Sequence, residues 1–261
     1  MTKPSPESRL SRRQFLKKAG KSLASTAPVL MIPLTFRPGS ARGEGGGEEV
    51  YDWNDHWYVY LVDIEKCIGC GMCARACKRE NDVPDGFFRT WVERYIISGI
   101  ETVKIDSPEG SLNGFGPELE VGREYKGFFV PKLCNQCTNT PCVQVCPVGA
   151  SYYTRDGVIM VDGKRCIGCG YCVQACPYGS RFINPGNHTA DKCTLCYHRI
   201  TKGLKPACVA ACPTGTRQLG DLKRENDPVR HIIATRPVRV LQAELLTRPK
   251  CYYLGLDQEV R

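Results

Sequence analysis

The chain of 261 residues has no apolar run long enough to cross a membrane, since a spanning helix needs about 20 consecutive apolar residues. Its weakly apolar stretch Leu23 to Phe36 is broken by Pro28 and Pro33. No transmembrane helix of its own is therefore expected. Histidine is scarce: His56, His188, His198 and His231 are the only four, and none has a metal-ligand spacing. No G-x-G-x-x-G follows a candidate strand, which leaves a nicotinamide or flavin site without support. Gly20-Lys21-Ser22 imitates the end of a phosphate loop, but Phe15 stands where that motif needs its first glycine. No Ser/His/Asp set or pair of carboxylates suggests a hydrolytic centre, so no substrate chemistry is expected of this chain.

The formal net charge of +9 would suggest a polyanionic partner, but its distribution argues otherwise. Residues 1–41 hold eight Lys/Arg and one acid, which leaves 28 basic and 26 acidic residues in the rest. The excess belongs to a leader. Ser11-Arg12-Arg13-Gln14-Phe15-Leu16-Lys17 matches the twin-arginine export signal of bacteria. Residues 1–41 are accordingly expected to be an address rather than part of the fold. Gly39 and Ala41 supply small residues for a cut after Ala41. The expected location is the periplasmic side of the bacterial inner membrane. Residues 42–49 read as a flexible charged linker, and the body begins near Val50.

Cysteine is the residue in excess, with 17 in the chain. Disulfides, zinc and iron–sulfur clusters can each account for such a number. Disulfide-dense scaffolds are mostly shorter than about 100 residues, and a route that exports folded proteins offers a disulfide protein no advantage. Sixteen of the cysteines fall into four blocks. The first is Cys67, Cys70, Cys73 and Cys77, and the second Cys134, Cys137, Cys142 and Cys146. The third is Cys166, Cys169, Cys172 and Cys176, and the fourth Cys193, Cys196, Cys208 and Cys212. Every block opens with C-x-x-C and closes with C-x-x-x-C. Blocks one and three follow the C-x2-C-x2-C-x3-C run of two-cluster ferredoxins. A tight loop lets three thiolates converge on one cube, while the fourth, a helical turn further on, points towards a second. Glycines inside the loops (Gly69, Gly71, Gly168, Gly170) allow the backbone to approach. Blocks two and four widen the gap between second and third cysteine, so extra loop emerges there. Proline follows the last cysteine at Pro147, Pro177 and Pro213. A zinc site built from four cysteines also uses C-x-x-C pairs, but needs neither a crowded triplet nor a fourth thiolate aimed elsewhere.

Other segments are read more coarsely. Trp57 to Ile64 should be a strand, and Tyr152 to Val161 a hairpin turning at Asp156-Gly157. Residues 107–127 read as a loop, Asp227–Thr235 as a short helix and Val238–Leu241 as a strand. Tyr171, Tyr178, Trp53 and Trp57 read as core or cluster shielding, and Cys251, outside every block, as an inert thiol. Lys192 and Arg165, each beside a first ligand, read as solvated cations, with positive charge that raises a neighbouring potential as their other option. His198 reads as packed or solvent-facing, with a hydrogen bond near a cluster as its other option.

These motifs resemble the four-cluster ferredoxin-like subunits of respiratory molybdopterin oxidoreductases. Among these are dimethyl sulfoxide, polysulfide, thiosulfate and tetrathionate reductases and formate-dependent nitrite reduction systems. Cys77-Lys78-Arg79-Glu80-Asn81, Cys176-Pro177-Tyr178-Gly179-Ser180-Arg181-Phe182, Cys193-Thr194-Leu195-Cys196-Tyr197-His198-Arg199 and Cys212-Pro213-Thr214-Gly215 carry the resemblance. It implies an α+β fold of tandem two-cluster ferredoxin-like modules, with loop insertions, small hairpins and short helices. Residues 50–125 plus 181–225 would form the outer module and 126–180 the inner one, with 226–261 an extension packing on the body. It implies four 4Fe–4S clusters: Cys67, Cys70, Cys73 with Cys212; Cys193, Cys196, Cys208 with Cys77; Cys134, Cys137, Cys142 with Cys176; Cys166, Cys169, Cys172 with Cys146. It also implies a molybdopterin-containing catalytic subunit at one end and an integral-membrane quinone-reactive subunit, of the polysulfide reductase type, at the other. A freestanding periplasmic polyferredoxin is the alternative. Anaerobically purified protein should contain about 16 Fe per chain; iron analysis giving well under that count would contradict the four-cluster expectation.

Overall fold

Tyr58–Asp63 (β1) is the middle strand of a three-stranded sheet, and it is buried along its whole length. The alternation of side chains along a strand explains how six consecutive residues are all accommodated. Tyr58, Tyr60 and Val62 enter one apolar cluster, together with Cys73, Cys134, Cys193 and Cys208. Val59 and Leu61 point the other way, into a smaller cluster with Val229 and Leu254. A strand covered on both faces needs no polar face. Fully burying each such aliphatic side chain contributes roughly 1.5–3 kcal/mol.

The computed structural model describes residues 51–98, 102–116 and 125–260. The export leader expected at 1–41, the linker at 42–49 and Gly20-Lys21-Ser22 lie outside the described residues, as does the 117–124 part of the expected loop. The described residues fall within one compact unit, Val50–Arg261. Its fold is α+β, with small sheets and short helices.

β1 pairs on one side with Arg217–Asp221 (β9), antiparallel, and on the other with Cys251–Leu254 (β10), parallel. The C-terminal segment thus supplies an outer strand of the central sheet. A second sheet runs in the order β3-β2-β4, from Thr102–Asp106 (β3), Thr90–Ser98 (β2) and Tyr125–Leu133 (β4). The expected division between residues 125 and 126 falls at the start of β4, which runs antiparallel to β2 from Tyr125↔Ser98 to Leu133↔Thr90. Ser151–Tyr153 (β5) and Ile159–Val161 (β6) make the hairpin expected there, and Gly157 takes the left-handed conformation, φ 80°. Arg181–Ile183 (β7) and Ala190–Lys192 (β8) form a further hairpin leading into block four.

Four helices each carry the third cysteine of a block: Met72–Glu80 (α1), Pro141–Gln144 (α2), Tyr171–Gln174 (α3) and Ala207–Ala210 (α5). Tyr197–Ile200 (α4) lies in the wide gap of block four. Pro228–Thr235 (α6) forms where a helix was expected. Asp227 caps it through Oδ1, accepting from Val229 N at 2.8 Å and Arg230 N at 3.2 Å, with Pro228 in the first turn.

The strand expected over Val238–Leu241 is absent. Only Arg239 bridges, to Tyr253 on the outer edge of β10, through a reciprocal pair of hydrogen bonds at 2.9 and 2.8 Å, and the pairing goes no further. The loop read over 107–127 is too long at both ends, since Pro108–Ser111 is a 3-10 turn and β4 begins at Tyr125.

Candidate metal centres

Each C-x-x-C loop reverses at the residue just before its second cysteine, and all four of these residues adopt positive φ: Gly69 (67°), Gln136 (47°), Gly168 (69°) and Leu195 (54°). The reversal turns both thiols of the pair to one side. Glycine is required at two places in blocks one and three. A Cβ at Gly71 would stand 1.8 Å from the Ser111 carbonyl oxygen, and one at Gly168 would stand 2.4 Å from that of His188. In blocks two and four a side chain is tolerated because it is tied down. Gln136 is buried, donates from Nε2 to the Cys193 carbonyl at 2.8 Å, and accepts at Oε1 from Ile159 N at 2.7 Å. This amide stitches block two to block four and to the β5–β6 hairpin. The sequence alone did not reveal it, because an ordinary polar residue carries the role that glycine marks elsewhere.

The sixteen block cysteines line four separate cavities. Cys67, Cys70, Cys73 and Cys212 border one. Cys77, Cys193, Cys196 and Cys208 border the second. Cys134, Cys137, Cys142 and Cys176 border the third, and Cys146, Cys166, Cys169 and Cys172 the fourth. Each quartet takes three thiols from one block and one from another. The helices explain this: α1 holds both Cys73 and Cys77, yet sends them to different cavities.

A zinc ion would need four sulfurs at about 2.3 Å. Among the described residues no group of three or more His, Cys, Asp or Glu side chains converges closely enough for a single ion. The donor set is all thiol and spread around a cavity, which suits a polynuclear cluster.

Bare thiols are poorly tolerated as anions here. Burial, reinforced by thiolates of the same quartet, pushes Cys77 and Cys137 up to about 12 and Cys142 to about 11. A cationic iron load removes that cost, because metal binding releases the thiol protons. Cys146 and Cys212 behave differently. Burial would raise Cys146, but N–H groups of Ser151, Val148, Ala150 and Gly149 outweigh it and hold the pKa below the usual thiol range. At Cys212 burial is likewise outweighed, by N–H groups of Arg217, Thr214 and Thr216 and the Thr214 hydroxyl. The turns after Cys-Pro therefore wrap each final sulfur in backbone donors.

Further donors reach sulfur from afar. Ala190 N lies 3.2 Å from Cys166 Sγ, and the Tyr60 hydroxyl 3.2 Å from Cys208 Sγ. Asn81 Nδ2 donates to two sulfurs bordering one cavity, Cys77 Sγ at 3.6 Å and Cys196 Sγ at 3.7 Å. The residues beside it lock the blocks together. Glu80 accepts from Arg199 Nη1 at 2.9 Å and meets His198 Nε2 at 2.8 Å, while Lys78 Nζ donates to the Pro84 carbonyl at 2.7 Å. Cys-Lys-x-Glu-Asn and Cys-Tyr-His-Arg are thus two halves of one clamp, and His198 is a half-exposed clamp residue. His56 is buried between Tyr51 and Tyr58, with Nδ1 at 2.6 Å from Asp221 Oδ2.

Several expectations need correction. Lys192 is fully buried, because β8 carries it beneath the Ile159 and Cys193 carbonyls. Tyr171 and Trp53 are exposed, so neither belongs to the core. Arg165 does face solvent, near Asp162.

Two stretches, residues 66–150 and 125–222, match the family described as the 4Fe–4S dicluster domain. The chain is 41% identical over 249 residues to the tetrathionate reductase B subunit of Salmonella typhimurium, covering 95% of this chain and 89% of that protein. It is 45% identical over 203 residues to the tetrathionate reductase B subunit of Archaeoglobus fulgidus, covering 78% and 84%. The chain belongs to the iron–sulfur electron-transfer subunits of reductases. A third relative, thiosulfate reductase electron transfer subunit PhsB of Salmonella typhi, is 43% identical over 166 residues, which is 63% of this chain and 76% of that protein. As an iron–sulfur subunit the chain carries electrons for an oxidoreductase complex and is not its catalyst.

Cys251, the seventeenth cysteine, borders none of the four quartet cavities and is wholly buried in β10. Burial pushes its thiol up to about 12, so at pH 7 only on the order of one molecule in 10^5 carries the thiolate. In intact holo-protein an alkylating reagent at neutral pH should leave Cys251 unmodified until denaturant is added. Peptide mapping that finds it labelled at the rate of a surface thiol would contradict this placement.

Proposed function

We propose that each cysteine quartet holds one 4Fe–4S cluster, four in all, and that the chain conducts electrons between a quinone-reactive membrane subunit and a molybdopterin catalytic subunit. The ligand sets are Cys67, Cys70, Cys73 and Cys212; Cys77, Cys193, Cys196 and Cys208; Cys134, Cys137, Cys142 and Cys176; and Cys146, Cys166, Cys169 and Cys172. A 4Fe–4S cluster supplies reversible one-electron storage, at a potential set by charge, hydrogen bonds to sulfur and exposure.

One observation carries this reading: the burial of the thiols is graded. Cys77, Cys193, Cys196 and Cys208 are all buried, as are Cys134, Cys137 and Cys142, while Cys176 of that third quartet is partly exposed. The other two quartets reach the surface. Cys67, Cys70 and Cys212 are partly exposed in one, and in the other Cys146 and Cys166 are partly exposed and Cys169 is exposed. Beside one lie the exposed apolar side chains Ile68 and Met72, and beside the other Val148, Ile167 and Tyr171. Two more deeply buried quartets between two more accessible ones suit a conductor with a partner at each end, and exposed apolar residues mark such contacts. A freestanding carrier needs only one port.

The chain's own residues insulate the inner quartets, place N–H donors at the sulfurs and present the outer quartets to partners. Among the described residues no helix is long and apolar enough to cross a membrane, which leaves the quinone chemistry to a separate subunit. The twin-arginine motif supports delivery of the assembled protein to the periplasmic side of the inner membrane. The relatives named for tetrathionate reduction make tetrathionate the first acceptor to assay.

Gentle detergent extraction of native membranes, followed by affinity isolation of this chain, tests the proposal. A molybdenum-containing large subunit and a multi-span membrane protein should co-isolate, and a quinol analogue should reduce the chain's iron in that complex. Recovery of the chain alone, as a soluble monomer from the periplasm, would contradict it.

A further inference from the structure

Arg217, Lys192 and Arg181 are almost completely buried, at 1%, 1% and 4% exposure. Among the described residues none of the three is in an ion pair with a carboxylate. Buried cations without a partner are rare, because loss of hydration is uncompensated. Their donors are not used up either. No hydrogen-bond acceptor reaches Nη1 of Arg217, or Nε and Nη2 of Arg181. The negative charge that faces these side chains comes from cysteine sulfur.

The positions are systematic. Arg217 borders the cavity of Cys67, Cys70, Cys73 and Cys212. The charges that most favour its protonated form against burial are Cys73 of that quartet, then Tyr60 and Cys208, the last from the neighbouring quartet. Arg181 borders the cavity of Cys134, Cys137, Cys142 and Cys176, and its Nη1 donates at 2.9 Å to Ser151 Oγ, on the wall of the next cavity. Its charge is set against Cys142 and Cys134 on one side and Cys172 on the other. Lys192 occupies the remaining interval. Its Nζ donates to the Cys193 carbonyl at 2.6 Å and to that of Ile159, and the sulfurs facing it are Cys134, Cys193 and Cys142, from two adjacent quartets. One basic side chain therefore stands at each of the three intervals between successive quartets.

We infer that these three side chains are shared counter-charges between successive clusters, each raising the reduction potential of the pair it separates. The inference rests on the four-cluster reading above. The physical reason is that reduction adds one negative charge to a site already surrounded by thiolates. A cation held in a water-excluded interior stabilises the reduced form more than the oxidised form, and its field is weakly screened there. Placed between two clusters it acts on both, so neighbouring potentials rise together. A guanidinium keeps its charge in any protein environment, so Arg217 and Arg181 are the firm cases, and Lys192 extends the pattern to the middle interval.

The test is redox titration, followed by electron paramagnetic resonance, of anaerobically purified full-length protein and its Arg217→Met, Arg217→Lys, Arg181→Met and Arg181→Lys variants. The parent should show four reducible centres. Arg217→Met should lower two of the four midpoint potentials and leave two unmoved, and Arg181→Met should lower the two that Arg217→Met leaves unmoved. Each lysine variant should restore most of the shift, which a role in packing alone would not produce. If a methionine variant loses iron, retention of iron in the matching lysine variant supports the charge requirement, and loss in both overturns it. Potentials that do not move, or that all move together, overturn the inference while leaving four clusters in place. A parent with fewer than four reducible centres would instead overturn the four-cluster reading itself.

Discussion

The crowding of thiols is the constraint on which the rest of this fold depends. Four sulfurs that share one cavity cannot all ionise unless positive charge enters with them, as the raised pKa values of Cys77, Cys137 and Cys142 indicate. Much of the surrounding architecture can be read as a response to that pressure. Backbone donors wrap Cys146 and Cys212 after the Cys-Pro turns, Asn81 and Tyr60 send side-chain donors to sulfur, and Arg217 and Arg181 are held in the interior. Little apolar sheet is available to carry the body without the cavities, since the largest sheets have three strands each.

Sharing thiols between blocks turns local loops into a single body. Because α1 sends Cys73 and Cys77 to different cavities, neighbouring quartets are joined by one helical turn. Remote parts of the chain are drawn in by the same logic. The Glu80 clamp on His198 and Arg199 ties block one to block four, and Gln136 ties block two to block four. The C-terminal β10 then closes the central sheet beside β1. Loss of one quartet should therefore be felt at its neighbours.

Much of the site was legible in the sequence because thiol spacing is a local property. Three ligands within a short loop follow from C-x-x-C geometry, whereas the partner that completes each quartet comes from another block and was implied only by the family resemblance. The hairpin at Tyr152 to Val161 was readable because Asp-Gly marks its turn, and α6 because Asp227 and Pro228 mark its start. The pairing of β2 with β4 was not identified, since it joins residues on either side of a long stretch of chain, Ser98 to Tyr125. Val238–Leu241 had strand composition, but its pairing with the edge of β10 stops at the single bridge from Arg239 to Tyr253. Lys192 was misread because a lysine beside a ligand is usually solvated, and only the β7–β8 hairpin carries it inside. The twin-arginine leader is a sequence argument throughout.

The most direct test of the four-cluster conductor is anomalous diffraction at the iron edge from crystals of the anaerobically purified chain. Four compact iron sites are predicted, one in each cysteine-lined cavity and each bonded to the four sulfurs named for it. Single-ion peaks at the zinc edge, sulfurs joined to one another, or iron in fewer than four of the cavities would contradict it.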